Sequence, residues 1–521
     1  VTEREEHDRV ASLIYLALSE NRHDDAVDIA EANWPVLISN NVAVLRAVAD
    51  QLSPAELASR PAWDRIRRYL GFVMLDSSLR PGAYVETALP HPPRSLADTL
   101  LTLTTRGIAA RTAGRFGEAV QLARTALERL AEAREPERDA VQHRLADGYL
   151  QWGLSFEFAV LETEALSTLE RAYELGIAFE NTRAAADAAG EIAWIHTLGG
   201  GGVHADRWVE RAQALVASSR SSQAWRRTDM IAAAVRLADR LQPDAALEML
   251  AQRPDGSVDE HRLIALAQTA IFRLSAGRSS TTVLLSELQR AQASDSQLFV
   301  EGNHNVTTFG YIEALVHLYA DRPDRSIDLL TQLQGVERGA WALGVRAAAE
   351  LAVGNDALAQ RDADTVISEY PKWPRQLIPA LLVKAAVALQ AGETTTAVSA
   401  FTDACLLAID NSLVSSLVVI PHADFAQLLQ LAGERLSDPQ LDGMARMPLM
   451  FAPARRTAVK LSPRELSVLR ELAYGGSLAE VAARLHLSVN TLKVHNQAIY
   501  RKLGVDGREQ AVTLARDRGL I

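Results

Sequence analysis

The sequence predicts an all-α protein, built as a long array of paired helices followed by a small helical domain at the C-terminal end. Three observations carry this. No strand-like alternation of apolar and polar residues is sustained along the 521 residues. Short turns containing small or polar residues recur near Gly114, Gly153, Gly199, Gln242, Gly277, Asp321, Gly354 and Gly392, at intervals of 33 to 46 residues. Near the end of the chain, Ser462, Ser477 and Ser488 each stand where a helix-capping serine belongs, ahead of apolar residues at helical spacing.

Taken in order, residues 3–50 show amphipathic pairs: Val10, Leu13, Ile14 and Leu16, a polar turn at 20–24, then Ala26, Val27, Ile29 and Ala30. The segment 113–127 repeats the unit, with AGRFGEAV as the turn and Leu122, Ala123, Ala126 and Leu127 after it. A period near 40 fits two helices of about 15 residues with their loops. The clearest further copies are at 276–278, 320–322 and 391–393. These units resemble tetratricopeptide repeats, which implies an α-solenoid of roughly eight to ten helix pairs over residues 1–435. Residues 21–75 carry a second resemblance, to the helical region of the large MalT-like regulators. In that family an ATP-binding module precedes such a region. Here the five lysines (Lys372, Lys384, Lys460, Lys493, Lys502) offer no G-x-x-x-x-G-K-[ST] context, so no nucleotide loop and no cofactor is expected. Val1 in place of methionine leaves a non-AUG start or the removal of an ATPase as origins, and the short polar leader 2–8 favours the former.

Residues 436–459 contain Pro439, Pro448, Pro453 and Gly443 and break the helical periodicity, marking a linker. A flexible chain of this length spans about 25 Å. Met444, Met447, Leu449, Met450 and Phe451 are apolar for a linker and suggest that part of it docks on the solenoid.

The domain at 460–521 opens with Ser462-Pro463-Arg464-Glu465, which combines a capping serine, proline at the first helical position and glutamate three residues after the cap. Leu466, Leu469 and Leu472 mark its buried stripe. Gly475-Gly476 ends it, and Ser477 with Glu480 opens a second helix at 478–485. After a short turn, Ser488 caps a third, whose Leu492, Ile499 and Leu503 pack inward. Lys493, Val494 and Gln497 then face outward, with Asn496, Tyr500, Arg501 and Lys502 beside them. Lysine can donate to guanine, glutamine can pair with adenine, and valine can touch a thymine methyl, so Lys493, Val494 and Gln497 are the expected base contacts. Ser488, Thr491, Arg501 and Lys502 are the expected phosphate contacts.

Residues 461–515 resemble the helix-turn-helix of LuxR-type transcriptional regulators. The resemblance rests on LSPRE at 461–465, Val468-Leu469, Leu472-Ala473, Gly475, Ser477, Glu480-Val481-Ala482, Leu485, Ser488, TLK at 491–493, His495, Ile499, KLGV at 502–505, Arg508 and Ala511. It implies a recognition helix at 489–502 and a fourth helix opening at 506–509 that pairs two such domains. Leu478 departs from the usual asparagine, which puts any phosphate or backbone contact there in doubt. The expected protein is therefore a DNA-binding regulator, an activator acting as a homodimer on double-stranded DNA. Its solenoid senses a small-molecule effector; the alternative is an adaptor controlled by a protein partner or a separate ATPase.

Charge agrees with this division. The chain carries a formal −11, yet residues 455–521 hold twelve Lys and Arg against six Asp and Glu. The basic charge is concentrated on the head, and the acidic remainder repels a duplex. The single Cys405 excludes an internal disulfide and reads as a core side chain in a reducing cytoplasm. The histidines form no HxH or H-E-x-x-H motif, so no metal is expected, and isolated ones such as His143, His261 and His317 read as packed or solvated. No apolar run of about 18 residues marks a membrane span, and no nucleophile or paired-carboxylate motif marks an enzyme. The candidates for effector contact are Trp152, Trp194, Trp225, Tyr311 and Trp341, with His196, Arg227, Asn303 and His304 as nearby polar groups.

Overall fold

Small residues let neighbouring helices of this chain lie almost backbone to backbone. A Cβ on Gly176 would stand 2.8 Å from both the backbone N and the Cβ of Ala185, and one on Gly190 would stand 2.9 Å from the backbone N of Asp229. Such contacts fix which helices pair and how closely. The computed structural model describes residues 3–73, 84–85, 95–218, 227–253, 260–300, 303–332, 339–436, 441, 461–503, 505–517 and 521. Among the described residues the regular elements are helices, and none is a strand, so the all-α class is as the sequence predicts. No described helix is long and apolar enough to cross a membrane.

The chain divides into two compact units. The first comprises 1–312, 373–375 and 407–416, and the second 313–372, 376–406 and 417–521. The first begins with short helices, including His23–Ala32, Trp34–Asn40, Val42–Gln51 and Pro61–Val73, around a core of Ile14, Leu37, Leu45, Val48, Trp63 and Leu70. Helix hairpins follow: Leu96–Thr112 with Phe116–Glu132, Leu145–Phe158 with Glu162–Ala178, Thr182–Gly199 with Gly202–Ser218, Thr228–Asp239 with Pro243–Ala251, and Arg262–Ser275 with Thr281–Ser294. The second unit contains the hairpin Ala340–Val353 with Asp356–Glu369, and Cys405 is buried as expected. The linker 436–459, described only at Leu436 and Leu441, otherwise lies outside the described residues, as do its methionines and Phe451.

One turn geometry recurs. The last turn of a helix closes with an N–H donating five residues back, as in Arg115 to Ala110 (2.8 Å), Leu161 to Phe156 (2.9 Å), Gln242 to Leu237 (3.0 Å), Arg278 to Arg273 (2.9 Å) and Asn355 to Glu350 (2.8 Å). The residue before that donor is left-handed in each case. Gly114, Gly277, Gly354, Gly392 and Asp321 occupy this place as the sequence suggests, but Gly200 and Leu241 replace the neighbouring Gly199 and Gln242. Gly153 is a larger miss. It sits inside Leu145–Phe158, where a Cβ would meet Leu169 at 2.6 Å, and the turn comes later, at Val160 with φ +58.

Gly176→Ala tests the packing. Alanine is the better helix former by about 1 kcal/mol, but here its methyl meets the backbone of the next helix. Overpacking of this kind costs about 1–3 kcal/mol. The variant should melt below the parent, whereas Gly117→Ala, which meets nothing within 4 Å, should melt at the same temperature or higher.

Candidate nucleic-acid interface

The C-terminal head is assembled by its caps. Ser462 Oγ accepts from Glu465 N (3.2 Å) while Glu465 Oε2 accepts from Ser462 N (2.6 Å), and Ser477 and Glu480 repeat the exchange at 3.3 and 2.7 Å. Ser488 Oγ accepts from Thr491 N (3.1 Å) and bonds the Thr491 hydroxyl at 2.7 Å. These caps start the helices Pro463–Tyr474, Leu478–Arg484 and Val489–Leu503, and a fourth runs Arg508–Asp517. Val468, Leu469, Leu472, Val481, Leu492 and Ile499 form the shared core. Between the second and third helices, His486 adopts φ +54 and Leu487 N donates to Ala482 O at 2.8 Å, turning the chain so that the third helix crosses the other two.

Two arginines hold the glycine turn: Arg484, absent from the sequence reading, and Arg508, which the resemblance included without a role. Arg508 donates to Leu472 O (2.7 Å) and Gly476 O, and Arg484 donates to Gly475 O (2.9 Å) while pairing with Glu471 (2.6 Å). They satisfy carbonyls that a helix end leaves open. Arg508 lies 36 residues from its acceptor, so no local pattern announces it.

On the third helix, Lys493, Gln497 and Arg501 recur at four-residue intervals and are all exposed; Val494 beside them is 64% exposed, and Ser488 and Thr491 are exposed at the helix start. These positions lie on an outward face about one groove width long. Three expectations change. Asn496 is buried, because it stands four residues after Leu492 and three before Ile499 on the inward stripe. Tyr500 is half-buried against the core. Lys502 is exposed but pairs with Glu465 at 2.6 Å, so its charge already helps to tie the recognition helix to the first helix. Beside this lysine the Glu465 carboxyl is held below its usual range, with the Ser462 N–H adding to the effect.

Among the candidates for effector contact, Trp152 and Trp194 are buried side chains with partners inside the first unit. Trp152 is buried and its Nε1 donates to Thr104 Oγ1 at 2.9 Å. Trp194 is fully buried and stacks on His304, with centroids 5.7 Å apart. Tyr311 has its hydroxyl pKa raised, chiefly by burial, near Arg375 and Asp239. Trp341 is half-buried on Ala340–Val353 in the second unit, and Trp225 lies outside the described residues. The polar groups named with them have partners of their own: Arg227 pairs with Asp229 (2.9 Å), and Asn303 donates to Leu298 O (2.7 Å) and caps Val306 N (2.8 Å).

His304 belongs instead to a buried acid–histidine cluster. Its Nδ1 lies 2.5 Å from Glu157 Oε1, and His261 Nε2 lies 3.6 Å from Glu157 and 3.3 Å from Glu191, which also accepts from Thr228 (2.9 Å). Glu157, Glu191 and His261 place three possible ligand atoms within 4.8 Å of one another. Burial opposes ionisation of Glu157, but His304 and His261 outweigh it and hold its carboxyl well below the usual range.

The head is thus a capped three-helix unit with a fourth helix, presenting one exposed polar helix face: the geometry of a helix-turn-helix DNA-binding domain. Residues 459–515 match the bacterial regulatory proteins of the luxR family, and this C-terminal domain belongs to that family. A probable transcriptional regulatory protein NarL of Mycobacterium tuberculosis (strain ATCC 25618 / H37Rv) is 41% identical over 68 residues, 13% of this chain and 32% of that protein. The nitrate/nitrite response regulator protein NarP of Escherichia coli (strain K12) is 35% identical over 82 residues, 16% and 38% of the two chains. The response regulator RamR of Streptomyces coelicolor is 35% identical over 71 residues, 14% and 35%. The chain spans about a third of the length of these curated relatives.

Two variants test the buried pairs. Glu157→Gln leaves His304 and His261 without their shared carboxylate, and removing one partner of a buried pair costs about 3–5 kcal/mol; a melting midpoint equal to the parent's would contradict the assignment. In the head, the stability from the Glu465–Lys502 pair is complete above the ordinary carboxylate range near about pH 4 and is lost as the pH falls through the lowered value of Glu465. Lys502→Met should therefore lower the midpoint at neutral pH and reduce the further loss on acidification, both read by thermal melts across pH.

Proposed function

We propose that this protein is a DNA-binding transcriptional regulator, an activator acting as a homodimer, whose helical region senses a small effector and changes how paired heads are presented. The exposed face of Val489–Leu503 carries the reading: Lys493, Val494 and Gln497 stand where a major groove offers base edges, flanked by Ser488, Thr491 and Arg501 for phosphates. Lys502 can add a phosphate contact only while sharing its charge with Glu465. Similarity to proteins named as transcriptional and response regulators supports the DNA-binding part, as does the family match, which falls on the head. The basic charge of residues 455–521 within an acidic chain supports it independently.

An effector needs to supply only about 1–3 kcal/mol of coupling to change DNA affinity by one or two decades. If an adaptor role controlled by a protein partner were the correct one, DNA affinity would respond to that partner and to no small molecule.

Binding measured on sequence libraries over a range of salt tests the face. Lys493→Ala and Gln497→Ala should each relax base preference, at a cost of about 1–3 kcal/mol per lost contact. Arg501→Ala should weaken all sequences alike and flatten the dependence of affinity on salt. Unchanged sequence preference in both Lys493→Ala and Gln497→Ala would remove the recognition face from this surface.

A further inference from the structure

Two apolar cores of the first unit meet around a cavity of about 140 Å³. Trp34, Ile66 and Leu70 line it from the N-terminal helices, and Leu100, Ile108 and Trp152 line it from the hairpins. Trp34 and Leu70 belong to one core, and Leu100 and Trp152 to the other. Whatever fills the space touches both.

Several polar groups in the wall are already engaged. Thr104 accepts from Trp152 Nε1 at 2.9 Å, and Gln151 Oε1 accepts from Arg111 at 2.7 Å. Asp147 is held by Arg183 at 2.5 Å and by Asn181 at 2.9 Å. The Arg144 guanidinium lies 5.1 Å above the Trp34 ring and 3.5 Å from Glu31. A charged ligand would have to compete with these pairs for their partners, whereas an apolar ring needs only the space. A space of this size accepts a molecule as large as benzene.

We propose that this cavity binds a small uncharged molecule of one or two rings, and that this molecule is the effector of the regulator. The second half rests on the function proposed above; the first does not. Filling the space adds apolar contact to both cores at once, so the ligand stabilises the seating of the N-terminal helices on the first hairpins. Trp34 and Trp152, on opposite sides of that seam, report its occupation.

The test uses the full chain, with toluene and indole as neutral probes and benzoate as the charged counterpart of similar size. Toluene or indole should raise the melting midpoint in proportion to the logarithm of ligand concentration, and benzoate should not. Ala97 also lines the cavity, and Ala97→Phe, which puts a ring into the space, should abolish the shift. Leu101→Ala, which enlarges it, should move the preference from toluene to naphthalene and keeps the test decisive if the first variant fails to fold. A midpoint shift by benzoate but not toluene, or an equal shift in Ala97→Phe, overturns the assignment. DNA affinity measured with and without the bound probe separates the two halves. Ligand binding with unchanged DNA affinity removes the effector role, and ligand binding in a protein that binds no DNA removes the regulator reading alone.

Discussion

Close approach between helix backbones is the constraint on which the rest of this chain depends. Gly176 against Ala185 and Gly190 against Asp229 leave no room for a Cβ, and a Cβ on Gly202 would stand 2.0 Å from the carbonyl oxygen of Asn411. At such separations a helix cannot slide or rotate without collision, so each hairpin fixes the placement of the next. Larger side chains, such as Leu169 and Trp194, are buried between the helices. Backbone contact sets the geometry, and burial of apolar surface supplies the stabilisation, about 25 cal/mol per Å².

The same packing forces charge inward. Besides the Glu157 cluster, Arg111 pairs with Glu260 at 2.6 Å, Arg236 with Asp239 at 2.9 Å, and Arg375 with the same aspartate at 2.6 Å. Buried pairs of this kind add little net stability over apolar residues, because the cost of removing two charges from water offsets their attraction. Their effect lies in the penalty for a wrong arrangement, since any helix shift that separated one pair would leave both ions uncompensated. Arg375 ties residues remote in sequence, Thr197 and Asp239, to its own position through donated hydrogen bonds of 2.6 to 2.9 Å. An alanine-rich array with many near-equivalent helix faces gains uniqueness from such specific contacts.

What could be read in the sequence was local. The capping boxes at Ser462 and Ser477 and the glycine turns at Gly114, Gly277, Gly354 and Gly392 involve residues within a few positions of one another and stand as expected, as does the apolar stripe of the head except at Leu466, which is half-buried while Val468 joins Leu469 and Leu472 in the core. Val160 hid its turn because a β-branched residue is a costly occupant of left-handed backbone, and Gly153 drew attention only because it is a glycine. Asn496 was placed outward by its polarity, although its position on the stripe puts it inside. Arg508, the acid–histidine cluster and the cavity depend on residues tens of positions apart. No periodicity encodes them, and none encodes the packing of Trp152 against Thr104 or of Trp194 on His304.

Lys502 shows why recognition and stability cannot be assigned to separate residues in a domain this small. A helix that enters a groove must resist rotation about its own axis, because a shift of one residue turns its face by about 100°. The apolar stripe resists that rotation, since it would carry Leu492, Ile499 and Leu503 out of the core. The Glu465–Lys502 pair resists it directionally, joining the last turn of the recognition helix to the first turn of another, and Glu465 is itself fixed by the Ser462 N–H. A DNA phosphate that approaches Lys502 competes with Glu465 for the same ammonium. The contact therefore contributes less to affinity than an unpaired lysine would, while the pair keeps Lys493, Val494 and Gln497 aimed outward. Arg501, one position earlier and exposed, bears no ion pair among the described residues and so offers its charge to the backbone at a smaller cost. On the proposed function, sequence discrimination in the head rests on side chains that are free to reach, held in place by a neighbour that is not.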